Sequence, residues 1–130
     1  GMEAAIDRAK ALEAAGADAI FPEAMGTLAE FEQMRKAVSV PILANMTEFG
    51  KSELFTHEQL ADVGVNMVIH PVSLLRVAFG AIERALDSLQ STGTLDGEVA
   101  GMQTRGRLYE LLDYEAYNAF DAGIFTYSGR

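Results

Sequence analysis

The chain contains no cysteine. Disulfides, thiolate nucleophiles and cysteine-based metal centres are therefore excluded from this stretch, and the absence fits a reducing compartment. It also lacks an apolar run approaching the roughly 18 residues that cross a bilayer, and no secretory signal opens it. Basic residues are few: 10 Lys and Arg stand against 19 Asp and Glu, a formal net charge of -9. A balance of that sign repels phosphate backbones and anionic lipid, which argues against nucleic-acid and membrane partners. What is present is apolar. Hydrophobic residues make up 49% of the 130 residues, enough to fill a core in one compact unit. A soluble, cytoplasmic protein is the expectation.

The chain opens directly on an amphipathic helix, as though in the middle of a fold. Met2, Ala5, Ile6, Ala9 and Leu12 share one helical face, and Gly16 suits the left-handed turn that ends it. Residues 17–22 read as a short buried strand stopped at Pro22. Thr27-Leu28-Ala29-Glu30 is a capping box opening a second helix, with Leu28, Phe31, Met34 and Val38 inward. Residues 40–45 form the second apolar strand. A loop over 46–52 leads to a second capping pattern at Thr56-His57-Glu58-Gln59 and a short helix closed by Gly64. Residues 65–71 are the third strand, and residues 73–90 a longer helix. A polar linker over 91–97 precedes one further helix from about Met102 and a Tyr/Phe-rich tail.

Alternating strands and helices predict a parallel sheet covered by helices. Pro22-Glu23-Ala24-Met25-Gly26 is not the glycine-rich phosphate turn of an open doubly wound sheet, so a barrel fits better. Three strands cannot close one, because a barrel of this type needs eight. The chain is therefore expected to be the C-terminal part of a (β/α)8 barrel, with residues 1–90 as βα units and 91–130 as linker and helical tail.

In βα barrels, ligands meet residues just beyond the C-terminal ends of the strands. Those places hold Glu23, Asn45 with Thr47, and His70. Taken singly, each is an ordinary polar loop residue; jointly, they converge if the strands lie side by side. Read alone, Arg76 is a surface ion pair and Arg105 a solvated charge at a helix start. His57 reads as solvent-facing and His70 as a hydrogen-bonded structural residue. Tyr109, Tyr114, Tyr117 and Tyr127, with Phe120 and Phe125, read as packing of a helical tail or a subunit contact.

Four segments carry a resemblance. Phe21-Pro22-Glu23-Ala24, Ile42-Leu43-Ala44-Asn45-Met46-Thr47-Glu48-Phe49-Gly50, Pro71-Val72-Ser73 with Arg76, and Met102-Gln103-Thr104-Arg105 with Leu108-Tyr109-Glu110 resemble 2-methylisocitrate lyase, in the same order and spacing. The superfamily is that of isocitrate lyase and phosphoenolpyruvate mutase. The resemblance implies a carbon–carbon lyase splitting 2-methylisocitrate into pyruvate and succinate in propionate catabolism. It also implies a homo-oligomer, usually a tetramer, with a helix exchanged between subunits. It makes Glu23, Asn45, Met46, Thr47, Arg76 and Arg105 substrate contacts. Their chemistry suits a tricarboxylate: arginine forks grip carboxylates bidentately, and amide and hydroxyl donors bind them without a buried charge.

The family's catalytic centre uses Mg²⁺ on an early Asp-x-Asp segment and a cysteine-bearing loop, and neither motif occurs in this sequence. The Mg²⁺ ligands are thus expected outside this chain, and no catalytic or metal-binding residue is expected within it. Two other readings stand beside this one. One is a relative in the same superfamily acting on dimethylmalate or a phosphonate. The other is a non-catalytic oligomerisation module.

Overall fold

A computed structural model describes residues 1–125. The chain forms two compact units, Gly1–Gly80 and Ala81–Arg130. The first is α/β, with helices α1 (Met2–Ala14), α2 (Leu28–Ala37) and α3 (His57–Asp62), strands β1 (Leu43–Asn45) and β2 (Met67–Ile69), and the start of α4 (Ser73–Thr92).

Local sequence explains each boundary. After α1 the amide of Ala17 returns to the carbonyl of Leu12 at 3.0 Å, with Gly16 at a φ of +99°, a Schellman-type stop. Both expected capping boxes form. Thr27 Oγ1 accepts from the Glu30 amide while the Glu30 carboxylate accepts from the amides of Thr27 and Gly26. Thr56 and Gln59 make the same reciprocal pair at the start of α3. Gly64 ends α3 at a φ of +85°, where an added Cβ would lie 2.5 Å from Arg35 Cγ.

The sheet is parallel, with Leu43 opposite Met67, Ala44 opposite Val68 and Asn45 opposite Ile69. The strand expected over 17–22 is reduced to a single parallel bridge between Ile20 and Ile42. The Ile20 amide donates to the Pro41 carbonyl and the Leu43 amide to the Ile20 carbonyl, and the ladder stops there. Pro22 and Pro41 have no amide hydrogen, so neither can extend it. Two strands and one bridge therefore stand where three strands were expected. Phe31, Met34, Ile42, Met46 and Leu60 are the large fully buried side chains of this unit. Each contributes about 1.5–3 kcal/mol by leaving water.

Polar groups tie the edges. Arg35 donates to the carbonyls of Val38 and Val40 and to Asn66 Oδ1, which also accepts from the Ile42 amide. Glu13 of α1 accepts from the Ser39 hydroxyl and from the amides of Ser39 and Val40. These bonds hold its carboxyl below the usual value of 4.5, the Ser39 hydroxyl contributing most.

The second unit holds the rest of α4, a short 3-10 helix (Asp96–Gly101), α5 (Arg105–Leu111) and α6 (Tyr114–Phe125). The single helix expected after Met102 is thus two helices, broken at Asp113 with a φ of +50°. The linker expected from 91 begins later, since α4 runs to Thr92 and ends at Gly93. Thr104 caps α5 by accepting from the Arg107 amide at 3.1 Å. Tyr109 and Tyr114 stack at 4.4 Å between ring centroids. None of α4, α5, α6 or the 3-10 helix has a buried residue. Tyr127 lies outside the described residues.

Candidate functional site

Parallel strands place their C-terminal ends side by side, and the loops that leave those ends are unusual. Each holds a non-glycine residue at positive φ: Ala24 at 60°, Phe49 at 61° and Val72 at 58°. A left-handed conformation costs an L-residue about 1–2 kcal/mol. Strain of this kind gathers where a loop shape serves a ligand rather than stability.

Within the first unit a cavity of about 280 Å³ opens among these loops. Glu23, Asn45 and Thr47 line it together, as the order of strand ends implied, and Met25, Lys51 and Ser52 join them. Asn45 Oδ1 is buried with no hydrogen-bond partner, alone in this among the side-chain polar atoms of the described residues. A buried acceptor left unmade costs about 1–3 kcal/mol, so a ligand bringing a donor recovers that energy. Met46 differs from its neighbours. Its side chain is fully buried, its sulfur accepts from the Phe55 amide at 3.4 Å, and its own amide donates to the Ile69 carbonyl. Its side chain and its amide are therefore both engaged within the fold.

Arg76 does not line that cavity. It lines a second depression of about 290 Å³ with Glu48, Phe49, Ser73 and Val77. Its Nη1 donates to the Glu48 carbonyl at 2.6 Å and lies 3.7 Å from the Glu48 carboxylate, while its guanidinium sits 5.4 Å from the centre of the Phe49 ring. The ion pair expected of Arg76 on bland grounds is therefore present. Ser73 Oγ donates to the Glu48 carboxylate, at 2.9 and 2.7 Å from its two oxygens. That bond, ahead of every other influence, lowers the Glu48 pKa, and Arg76 and His70 act in the same direction. Arg105 is exposed at the first position of α5 in the second unit. His70 faces His57, their Nε2 atoms 2.8 Å apart, so both are explained by each other.

Lys51 and Ser52 were not singled out from the sequence. No motif set them apart within the loop over 46–52, which the structure folds tightly: a Cβ added at Gly50 would meet Thr47 at 3.0 Å. Among the described residues no three His, Cys, Asp or Glu side chains gather as a metal cage. These residues alone do not fit a Mg²⁺ site.

Residues 1–90 match the family model described as phosphoenolpyruvate phosphomutase. The chain belongs to that family. Among curated relatives, the probable 2-methylisocitrate lyase 2 of Corynebacterium glutamicum is 56% identical over 128 residues, which are 98% of this chain and 42% of the relative. The chain thus spans about two-fifths of the length of the curated relatives it matches. Solved structures agree with the family. Oxaloacetate acetylhydrolase in complex with oxalate superposes with a TM-score of 0.78 at 28% identity, over 94% of this chain and 42% of that one. Phosphonopyruvate hydrolase in complex with oxalate and Mg²⁺ superposes with a TM-score of 0.74 at 26% identity, over 94% and 44%.

Proposed function

We propose that this chain is the C-terminal part of a (β/α)8-barrel carbon–carbon lyase that splits 2-methylisocitrate into pyruvate and succinate. The observation that carries this reading is the shared cavity of Glu23, beyond the Ile20 bridge, with Asn45 and Thr47 at the end of β1, in a chain 56% identical to a probable 2-methylisocitrate lyase. In that reaction the substrate hydroxyl gives up its proton and its C–O bond becomes the carbonyl of pyruvate. The electron pair of the broken C–C bond passes to a carbon beside a carboxylate and is capped by a proton. Charge therefore spreads onto a carboxylate as the bond breaks, and donors already aimed at it favour that moment over the ground state. Asn45 and Thr47 supply neutral donors, and Arg76 and Arg105 supply charged forks. Glu23 accepts from the substrate hydroxyl or orients a water. Mg²⁺, held by residues outside this chain, supplies Lewis acidity when bound. The whole enzyme is read as a cytoplasmic homo-oligomer, a tetramer with an exchanged helix, and the uncovered apolar side of α4 supports that reading.

The test is a chimera in which this chain replaces the matching 128 residues of the Corynebacterium glutamicum relative. With 2-methylisocitrate and Mg²⁺ it should release pyruvate at an ordinary enzymatic rate, about 1–1000 per second. A folded chimera that turns over oxaloacetate instead would favour the acetylhydrolase-like reading, to which the 0.78 superposition points. A folded chimera inactive on both, and also on 2,3-dimethylmalate and phosphonopyruvate, would leave the non-catalytic oligomerisation module.

A further inference from the structure

We infer that Glu48 is the positioning residue for Arg76, holding its guanidinium against the loop after β1 so that the rest of the fork is free to meet a substrate anion. The inference rests on the lyase reading above and adds a residue to it.

An arginine on the first turn of a helix is a long, mobile side chain, and fixing it costs rotamer entropy. Here that cost is met from one loop. The Glu48 carbonyl accepts from Nη1 at 2.6 Å, and the Phe49 ring lies under the guanidinium at 5.4 Å. Phe49 is 95% exposed and sits at a φ of 61°, an apolar ring held in water on a strained backbone. Nothing in core packing explains that arrangement, whereas a platform for Arg76 does.

The Glu48 carboxylate is placed with the same purpose. At 3.7 Å from Nη1 it is too far for a direct hydrogen bond, so it attracts the guanidinium without forming the two-pronged pair that would saturate it. Ser73, one turn before Arg76 on α4, holds the carboxylate at that distance through its hydroxyl. The Ser73 bond also keeps the carboxyl ionised to lower pH than usual. Among the described residues the Arg76 side chain donates through Nη1 alone, so Nη2 and Nε stay available to an anion entering the depression that Arg76 lines with Phe49 and Ser73. Loop and helix are thereby coupled: the segment that presents Asn45 and Thr47 also aims Arg76.

A double-substitution cycle in the active chimera tests this. Glu48→Ala should raise KM about tenfold with a smaller change in kcat, because an aimed donor has become a loose one. Glu48→Gln, which keeps the length of the side chain and an acceptor for Ser73, should recover most of that loss. The Glu48→Ala/Arg76→Ala pair should be no worse than Arg76→Ala by more than about twofold, since a residue acting through Arg76 has nothing left to aim. Two results would overturn the inference: Glu48→Ala within about twofold of the parent, or losses that multiply in the pair, as independent loop damage would give. If Glu48→Ala does not fold, the cycle is run with Glu48→Ser, where a loss that vanishes beside Arg76→Ala supports the proposal, and a loss that persists there, or no loss at all, refutes it. An unsubstituted chimera without activity is a failure of the lyase reading itself, visible before any Glu48 variant is made, and the inference falls with it.

Discussion

The two units of the chain are built from similar helical patterns and end in different states. Among the described residues every buried hydrophobic one falls between Ala9 and Val65, in the first unit. In the second, Leu86, Leu89, Val99, Leu111, Leu112 and Phe120 recur at apolar positions yet stay between 43% and 66% exposed. Helical periodicity fixes which residues share a face, and a partner surface decides whether that face leaves water. In the first unit the partner is the parallel sheet; among the described residues of the second there is no strand.

The contrast can be broken most forcefully in the core. Phe31→Ala, at a fully buried position, should cost about 3–5 kcal/mol, whereas Leu86→Ala should change stability by less than about 1 kcal/mol. Urea unfolding of the chain measures both, and comparable losses would mean that the second unit has a core of its own.

A matched pair of glycines sharpens the same point. Gly64 and Gly93 both have φ in the left-handed region, but an added Cβ meets Arg35 Cγ and Cδ at 2.5 and 2.6 Å in the first case and nothing within 4 Å in the second. Gly93→Ala should cost only the conformational strain, about 1–2 kcal/mol. Gly64→Ala should add displacement of Arg35 from Val40 and Asn66, for about 2–4 kcal/mol in all. Thermal melts of the two variants give the difference.

Function offers a third comparison, because each unit supplies one of the expected arginines. If both grip substrate, Arg76→Ala and Arg105→Ala should each lower kcat/KM of the chimera roughly ten- to a hundredfold, equivalent to about 1.5–3 kcal/mol. Lysine at either position should restore only part, keeping the charge and losing the fork. An unchanged kcat/KM in folded Arg105→Ala would remove the second unit from the site.

The smallest effect concerns pH. Because hydrogen bonds from Ser39 and Val40 depress the Glu13 pKa in the folded state, their contribution is present above the unfolded value of 4.5 and is lost as pH falls through the folded one. Tm should therefore decline as pH drops from about 5 toward 3, and Glu13→Gln should flatten part of that decline. Identical pH profiles for the two proteins would show that Glu13 contributes nothing to the acid limb.

Much of the first unit was legible because its signals are local. Thr27 with Glu30, Thr56 with Gln59, and Gly16 and Gly64 at helix ends each work within a few residues. Polar residues directly after apolar strands located Glu23, Asn45 and Thr47. What escaped was non-local or chemically silent. The Ser73–Glu48–Arg76 network joins residues 25 and 28 positions apart. Ala24, Phe49, Val72 and Asp113 adopt positive φ without glycine, so their loops carried no mark. For the same reason α5 and α6 read as one helix, with no glycine or proline between Leu111 and Tyr114. The missing first strand was signalled by Pro22 and Pro41, yet apolar residues at 19–21 outweighed them.

The solitary oxygen of Asn45 has a consequence for discrimination. A site that holds one dry acceptor need not attract its proper ligand strongly at that point; it needs only to make omission costly. A ligand that brings a donor there restores a lost bond, and an analogue of the same shape and charge without that donor leaves the oxygen stranded. Such an analogue is turned away by a group it fails to satisfy rather than by one it collides with.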